Sequence, residues 1–240
     1  MTQMEYAGSE LSAFAEARNF HLYYMRLFGE RLRGDVLEVG AGLGTFTEEI
    51  LNAGVSHLTV CEPDSKMADQ LAKTFAGRAH VVPGGIRDVP AASGLFDAIV
   101  YVDVMEHIED DRAEMMAAWE RLKEGGALMI GGPAHSWLYS PFDASIGHYR
   151  RYDRRSVEQL VASCDGLDLE QFQYFDCLGM ALSLGNKWLS RQSLPTRGQV
   201  KFWNDVVLPF SRRIDPVLRY RLGKSFVAVA RRKNRYLSSR

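Results

Sequence analysis

The sequence predicts a doubly wound α/β fold with a mostly parallel sheet of seven strands. Short apolar runs alternate with segments of helical period, which is typical of a parallel sheet covered by helices on both faces. A glycine-rich turn directly follows the first apolar run, at the place where such folds bind ligands. The chain has 240 residues, 46% of them apolar, which suffices for one sizeable core.

The elements are predicted in chain order from their period and their boundary residues. Strands are expected at 36–39, 57–61, 79–82, 96–102, 127–130, 167–175 and 225–230. Helices are expected at 45–53, 64–75, 110–123 and 153–163. Asp64 and Asp153 are expected to cap their helices, because a carboxylate there accepts from free backbone N–H groups.

Three further segments surround this core in what we expect to be a single domain over 1–240. An amphipathic helix or helix pair over about 9–32, ended by Gly34, is expected to form a helical cover, 9–33. Residues 131–153 lack helical period and are interpreted as a long functional loop. An insert over about 176–222 is expected to contain two or three short helices, split by prolines that include Pro209.

The glycine-rich turn contains Gly40, Gly42 and Gly44 and joins a buried strand to a helix. Glycine lets the backbone turn sharply and approach a ligand closely. Glu62 follows the second strand, where a carboxylate can accept hydrogen bonds from both ribose hydroxyls of an adenosine. The dinucleotide fingerprint requires a third glycine where this chain has Thr45, so the pattern favours a nucleoside ligand without phosphate.

Three successive stretches resemble the motifs of class I S-adenosylmethionine-dependent methyltransferases over about residues 35–131. They read VLEVGAGLGTFT, VCEPDSKM and FDAIVYVDVMEHIEDD. The resemblance implies a Rossmann-like methyltransferase fold whose last strand is antiparallel, with S-adenosylmethionine as cofactor. The loop at 131–153 resembles that of a bacterial subgroup that acts in polysaccharide, lipid or natural-product pathways.

The same resemblance assigns roles to the cofactor site. It implies that the glycine loop holds the methionyl part, that Glu62 holds the ribose, and that Glu38 contacts or supports the amino group. Asp103 matches the position near the sulfonium, and Glu106 and His107 match a common pair that follows it. The family often has an acid where this chain has Gly85, so we expect Ile86 to pack on the adenine ring. The implied cofactor set is Glu38, Gly40, Gly42, Gly44, Glu62, Ile86, Asp103 and His107.

The loop at 131–153 contains His135 and His148. The cofactor supplies the activated methyl group, but an oxygen or nitrogen acceptor often also loses a proton. Histidine is the most frequent base for such a step. We therefore expect His148, or else His135, to be catalytic; the alternative is that both imidazoles brace the loop.

Aromatic and charged residues near these histidines are expected to contact the acceptor. The set is Tyr24, Tyr139, Asp143, Arg150 and Tyr152. Arginine binds carboxylates and phosphates through two parallel hydrogen bonds. The alternative for the arginines is a salt bridge to Asp143 or Asp153. For Tyr24, the alternative to covering the cofactor is packing of its helix on the sheet.

Composition limits the compartment and the partners. The three cysteines are far apart and lack CxxC spacing, which argues against a disulfide framework or a metal site and fits a cytoplasmic protein. Residues 186–240 hold fourteen Lys/Arg and two Asp/Glu, out of 29 and 30 in the chain. This is either a solvated basic face or the contact for an anionic partner. Apolar residues in the same region would suit a lipid-linked acceptor and peripheral contact with an anionic membrane.

The leading functional hypothesis is methyl transfer to oxygen, nitrogen or carbon of a small-molecule or lipid- or sugar-linked acceptor. A peptide or protein acceptor and a non-catalytic cofactor-binding protein remain alternatives. A nicotinamide-dependent oxidoreductase is a remote one, because Thr45 and the Glu106-His107 pair argue against it. Nucleic-acid methylation is disfavoured, because the fourth strand does not end in the Asp/Asn-Pro-Pro-aromatic motif of base methylation.

Overall fold

The computed structural model describes residues 16–189 and 196–234. One seven-stranded sheet has the order β3-β2-β1-β4-β5-β7-β6. Its strands are β1 (Asp35–Val39), β2 (His57–Glu62), β3 (His80–Pro83), β4 (Phe96–Val102), β5 (Leu122–Pro133), β6 (Leu167–Phe175) and β7 (Ser225–Arg232). Strand β7 is antiparallel to both neighbours, and the other pairs are parallel. The predicted fold class is confirmed.

Helices connect the strands in the predicted alternation. They are α1 (Arg18–Phe28), α2 (Thr45–Asn52), α3 (Ser65–Thr74), α4 (Asp111–Arg121), α5 (Pro141–Ser145), α6 (Arg154–Ala162), α7 (Cys177–Leu189), α8 (Arg197–Phe202) and α9 (Leu208–Ile214). The Asp64 carboxylate accepts from the backbone N–H groups of Lys66 and Met67, as its predicted capping role requires. None of the described helices combines the length and the apolar character that crossing a bilayer demands.

The alternation of side chains along the central strands builds one core on each face of the sheet. Val36, Ala98 and Val100 face the side covered by α1, α2, α3 and the insert helices. Leu37, Ile99 and Leu128 face the side covered by α4 and α6. Neighbouring positions along one strand therefore serve opposite cores, as the period of two in a strand dictates.

Several predictions about the elements are wrong. Strand β5 runs on to Pro133, into the predicted loop at 131–153, because its last residues pair with β7. The N-terminal helix ends at Phe28 rather than at Gly34, because Gly29 already adopts a positive φ of 61°; residues 9–15 of the predicted cover lie outside the described part. Helix α4 ends at Arg121, and β5 begins at Leu122 because this residue already pairs with Phe96 of β4. Pro209 does not split the insert.

The insert helix passes through Pro209 by widening one turn. Residues Trp203–Val207 form a π-helical turn between α8 and α9, and Pro209 stands in the first turn of α9. A wide turn accommodates the missing N–H and the ring of a proline, which would disrupt a regular α-helix. The segment 197–214 is consequently one continuous helical run.

Candidate active site

The turn after β1 contains three glycines because its backbone adopts positive φ values. Gly40, Gly42 and Gly44 have φ values of 74°, 56° and 78°, which L-residues other than glycine adopt at a cost. A Cβ on Gly40 would lie 2.6 Å from a Val104 methyl group in the loop after β4. The Gly40 N–H donates to the Cys61 carbonyl at 2.8 Å and ties the turn to β2.

Glu62 closes this turn from the end of β2. Its Oε2 accepts from the Gly42 N–H at 2.8 Å, and its Oε1 accepts from the Asp64 N–H at 2.9 Å. Burial raises the pKa of Glu62, and these two backbone donors oppose the rise. A carboxylate offers about four acceptor positions, so two remain for another ligand. A vicinal diol such as that of a ribose matches this requirement.

Glu38 is a second buried carboxyl group beside the turn. Its Oε2 accepts from the Thr47 hydroxyl at 2.6 Å. Burial raises the pKa of Glu38 to about 8, opposed by the Thr47 hydrogen bond and assisted by the charge of Glu62. A nearby ammonium group would restore the ionised form. Two acids flanking an open backbone turn thus fit the ammonium and the ribose of S-adenosylmethionine.

The expected adenine end is built from the turn after β3. Ile86 begins a 3₁₀ turn and is 2% exposed, and it packs into the core on the α4 side of the sheet. The Gly85 N–H donates to the Asp88 carboxylate at 2.9 Å. A Cβ on Gly85 would meet nothing within 4 Å, so space is open where the family often has an acid. The contact of Ile86 with adenine stays a prediction.

Asp103 stands at the end of β4 in a left-handed conformation, with φ of 55°. The Tyr24 hydroxyl donates to its Oδ1 at 3.2 Å. Burial raises the pKa of Asp103 to about 6, and Tyr24, His148 and Lys224 oppose the rise. Tyr24 also lies against β5, where a Cβ on Gly131 would come within 2.2 Å of its ring. Helix α1 thereby covers the end of β4, which is compatible with both interpretations of Tyr24.

Three polar side chains, Glu106, His148 and Asp143, lie in a row near Asp103. Glu106 is 1% exposed, and neither of its carboxylate oxygens has a hydrogen-bond partner in the part of the chain that the structure describes. His148 Nε2 lies 3.9 Å from Glu106 Oε1, and His148 Nδ1 lies 3.1 Å from Asp143 Oδ1. Burial and the Asp103 charge raise the pKa of Glu106 far above its ordinary value.

Asp143 is the member of this row that stays ionised. Both of its oxygens accept from the Arg151 guanidinium, at 2.8 and 3.0 Å, and its Oδ2 also accepts from the Ser140 hydroxyl. Burial raises the pKa of Asp143, but His148, Arg151 and Ser140 outweigh it and hold that pKa well below its usual range. An ionised Asp143 accepts the Nδ1–H of His148, which leaves Nε2 as the free ring nitrogen facing Glu106.

The same cluster has the composition of a metal site. Glu106, His107 and His148 each offer one ligand atom, and these atoms lie within 4.8 Å of one another. Two imidazoles and one carboxylate could hold a divalent ion, with Asp143 orienting His148 from behind. The His107 ring meets the His148 ring edge-to-face at 4.5 Å. Burial and His148 lower the pKa of His107 to about 4.

His135 belongs to a different set of contacts. Its ring stacks on Tyr174 with centroids 4.4 Å apart, and its Nδ1 lies 3.5 Å from Asp153. Its backbone N–H donates to the Tyr152 carbonyl at 3.0 Å. Burial lowers the pKa of His135. The structure thus gives the two candidate bases separate surroundings, and those of His135 resemble the loop-bracing alternative.

Three of the other predicted acceptor residues make contacts within the protein. Arg150 pairs with Asp111 at 2.5 Å, whereas the alternative of a salt bridge to Asp143 holds for Arg151. The buried Tyr152 hydroxyl donates to the same Asp111 at 2.9 Å. The Tyr139 hydroxyl donates to the His148 carbonyl at 2.6 Å. These contacts hold the loop at 131–153 to the start of α4 and to itself.

Lys224 is a residue at this site that the sequence analysis missed. Its Nζ lies 3.6 Å from Asp176 and 3.8 Å from the centre of the Trp203 ring. Burial lowers the pKa of Lys224, and its charge acts on Asp103. The one available signal was the position of Lys224 immediately before β7. The first residue of β7 pairs with the last residue of β5, which places Lys224 at the same edge of the sheet as the candidate site.

Comparison with known proteins agrees with this geometry. Residues 37–130 match the profile of a family described as a methyltransferase domain. The mitochondrial ubiquinone biosynthesis O-methyltransferase of Schizosaccharomyces pombe is 28% identical over 102 residues, which cover 40% of this chain and 36% of that protein. The matched stretch therefore spans about a third of the length of that relative.

Solved structures share the fold at low identity. A methyltransferase from Archaeoglobus fulgidus, described as S-adenosylmethionine-dependent, superposes with a TM-score of 0.61 at 14% identity, covering 93% of this chain and 97% of its own. The N-methyltransferase NodS from Bradyrhizobium japonicum WM9 superposes with a TM-score of 0.58 at 17% identity, covering 90% and 96%. The likeness extends beyond the profile match to most of the chain.

Proposed function

We propose that this chain is a class I S-adenosylmethionine-dependent methyltransferase, and that it methylates an oxygen of a small-molecule or lipid- or sugar-linked acceptor; the methyltransferase-domain match over residues 37–130 and the shared fold support this. When bound, the cofactor supplies an electrophilic methyl carbon. The protein contributes the alignment of the acceptor and a group that takes its proton. Alignment alone can lower such a barrier by about 7–11 kcal/mol.

The observation that carries the proposal is the Asp143–His148–Glu106 row near Asp103. Asp143 fixes the His148 tautomer through the contact of 3.1 Å to Nδ1, so Nε2 is available to accept a proton. The unpartnered Glu106 carboxyl group lies on the Nε2 side, where its carbonyl oxygen can accept the N–H that forms when Nε2 takes the proton. A protic acceptor, rather than a carbon acceptor that is already nucleophilic, makes use of such an arrangement.

Each part of the candidate cofactor site has a separate task in this proposal. Glu38 holds the ammonium group, Glu62 holds the ribose diol, and the glycine turn leaves room for the methionyl part of the cofactor. Asp103, oriented by Tyr24 at 3.2 Å, borders the space between cofactor and acceptor. The curated relative is named an O-methyltransferase, which supports oxygen as the acceptor atom.

Substitution of the two candidate bases tests the proposal. The assay measures release of S-adenosylhomocysteine with a panel of phenolic, sugar and lipid-linked hydroxyl compounds. His148→Gln is expected to lower kcat by about 10²–10⁴-fold, the usual contribution of a positioned base, and to leave cofactor affinity unchanged. His135→Gln, which removes an imidazole from the same loop, serves as the matched control and is expected to retain most of the rate.

The result against the proposal is a His148→Gln enzyme that turns over the same acceptor at nearly the wild-type rate. Incorporation of label into a peptide, or into carbon of the acceptor, would favour one of the alternative acceptor classes. Cofactor binding with no turnover on any cell extract would indicate a non-catalytic protein.

Chelation separates the two possible uses of the Glu106–His107–His148 cluster. If His148 acts as the proton acceptor, then dialysis against a chelator leaves kcat unchanged. Loss of activity on chelation that a divalent ion restores would instead make His148 a metal ligand, and it would refute the role as a free base.

A further inference from the structure

We propose that the outer face of the segment 197–222, which comprises the helical run 197–214 and the turns that follow it, binds an anionic lipid bilayer, and that the acceptor is correspondingly an amphiphile with a hydroxyl head. The outer face consists of Phe202, Val206, Phe210 and Val217 together with Arg212, Arg213, Arg219 and Arg221. The acceptor part of this inference rests on the proposed function, whereas the binding part does not.

The topology brings this face next to the active site. Strand β6 runs parallel to β5, so its last residue, Phe175, lies at the edge of the sheet where the glycine turn and Asp103 lie. The insert leaves the sheet there and returns to the same edge at Ser225. Lys224, which acts electrostatically on Asp103, is its last residue before β7. Both ends of the insert therefore lie at the edge of the sheet that holds the candidate active site.

The inner face of the helical run already satisfies the fold. Val200, Trp203, Val207 and Leu208 are buried in the core beneath α1. Hydrogen bonds also fix the run, because the Asn204 side-chain oxygen accepts from the Phe20 N–H at 3.2 Å. The side chains of the outer face take no part in this packing.

The outer face is apolar at regular spacing. Phe202 is 55% exposed, Val206 42%, Phe210 53% and Val217 80%. Residues four apart on a helix are neighbours, so the first three form a continuous stripe. The π-helical turn at Trp203–Val207 widens the helix and keeps Phe202 and Phe210 on one side. Exposed aromatic residues in a row usually mark an interaction surface.

Charge identifies the partner. Residues 197–222 contain six Lys/Arg and two Asp/Glu, one of which, Asp215, is fully buried. Arg212, Arg213, Arg219 and Arg221 are exposed and form no salt bridge within the ranges 16–189 and 196–234. The Arg213 guanidinium lies 5.8 Å from the centre of the Phe210 ring. An apolar stripe flanked by arginines matches the boundary between acyl chains and anionic headgroups.

Vesicle sedimentation tests the binding directly. The wild-type chain is expected to pellet with phosphatidylcholine vesicles that contain about 30% phosphatidylglycerol, to remain in solution with pure phosphatidylcholine, and to dissociate as salt is raised well above about 0.1 M. Each basic residue near such a surface contributes about fivefold in affinity. Arg212→Glu/Arg213→Glu should therefore weaken binding by more than about tenfold. Phe202→Ser/Phe210→Ser should weaken it as well.

A matched control separates local contact from net charge. Arg112→Glu/Arg155→Glu makes the same change in charge on α4 and α6, which cover the opposite face of the sheet. This control should bind vesicles like the wild type. The proposal is overturned if the wild type ignores anionic vesicles, if the control weakens binding equally, or if ultracentrifugation shows a dimer that the Phe202→Ser/Phe210→Ser change dissociates.

The same preparations test the acceptor class. With methyl-labelled cofactor and a membrane lipid extract, label should enter the organic phase, and Arg212→Glu/Arg213→Glu should reduce this incorporation more than about tenfold. The wild type and the Arg212→Glu/Arg213→Glu variant should bind S-adenosylhomocysteine with equal heat. Label only in water-soluble products would overturn the amphiphilic acceptor. Absence of cofactor heat would instead refute the proposed function and leave vesicle binding as a separate result.

Discussion

Glu38 illustrates how burial tunes a single residue beside the glycine turn. Its carboxyl group has a pKa of about 8 because it is buried with Thr47 as hydrogen-bond donor and with Glu62 nearby. Near neutral pH, the free protein therefore holds Glu38 mostly protonated. A cationic ligand group beside it favours the ionised form and lowers this pKa.

Cofactor binding is consequently expected to release a proton. At a pH one unit below the pKa of about 8, close to one proton should leave Glu38 when S-adenosylhomocysteine binds. Calorimetry in two buffers of different ionisation enthalpy measures this release. Glu38→Gln should bind with heats that no longer depend on the buffer. Buffer-independent heats in the wild type would contradict the contact between Glu38 and the ammonium group.

Gly40 gives a second prediction at this scale. Gly40→Ala combines a left-handed φ of 74° with a Cβ only 2.6 Å from Val104, so the turn must shift. We expect affinity for S-adenosylhomocysteine to fall by more than about tenfold, since backbone strain alone costs about 1–2 kcal/mol. Gly54→Ala is the matched control, because its φ is 77° but its Cβ would meet nothing within 4 Å. If both variants bind the cofactor equally well, close packing at Gly40 is not what shapes the site.

The loop at 131–153 shows how one buried charge organises a whole element. Asp143 is fully buried and binds Arg151, His148 and Ser140, all from this loop. Because these partners hold its pKa below the ordinary value of an aspartate, Asp143 stabilises the fold above that value. This contribution is lost as the pH falls below about 4 toward the lowered pKa.

Asp143→Asn tests this role of the loop. The substitution leaves Arg151 buried without its partner, and we expect the free energy of unfolding to fall by about 3–5 kcal/mol near neutral pH. The difference from the wild type should shrink in acid, as urea titrations at several pH values would reveal. Asp168→Asn breaks the surface pair with Lys233 and should cost less than about 1 kcal/mol. Equal losses for the two variants would contradict the account.

Elements with a strong local signal were predictable, and those decided by tertiary contacts were not. The bounds of β4 and β6 follow from apolar runs between turn residues, and the observed Phe96–Val102 and Leu167–Phe175 are identical to the prediction. The start of β5 at Leu122 depends on a partner in β4, which no local pattern reveals. The passage of the insert helix through Pro209 likewise depends on a π turn stabilised by core packing.

On the scale of the whole molecule, the site is the common edge where β1, β2, β4 and β5 end. Parallel strands deliver their following residues to one edge, so the sequence could predict that Gly40, Glu62 and Asp103 lie near each other. It could not predict which arginine pairs with which acid. Arg150 meets Asp111 and Arg151 meets Asp143 because the loop folds back on α4, and that contact joins residues distant in sequence.

The most direct test of the account is a calorimetric titration with S-adenosylhomocysteine, performed on the wild type and on Glu62→Gln. The account predicts one site per chain in the wild type and no heat with NAD. Glu62→Gln should bind at least about tenfold more weakly, because a hydrogen bond to a charged group contributes about 1.5–3 kcal/mol. A wild-type protein that gives no heat with either S-adenosylhomocysteine or S-adenosylmethionine would contradict the central claim.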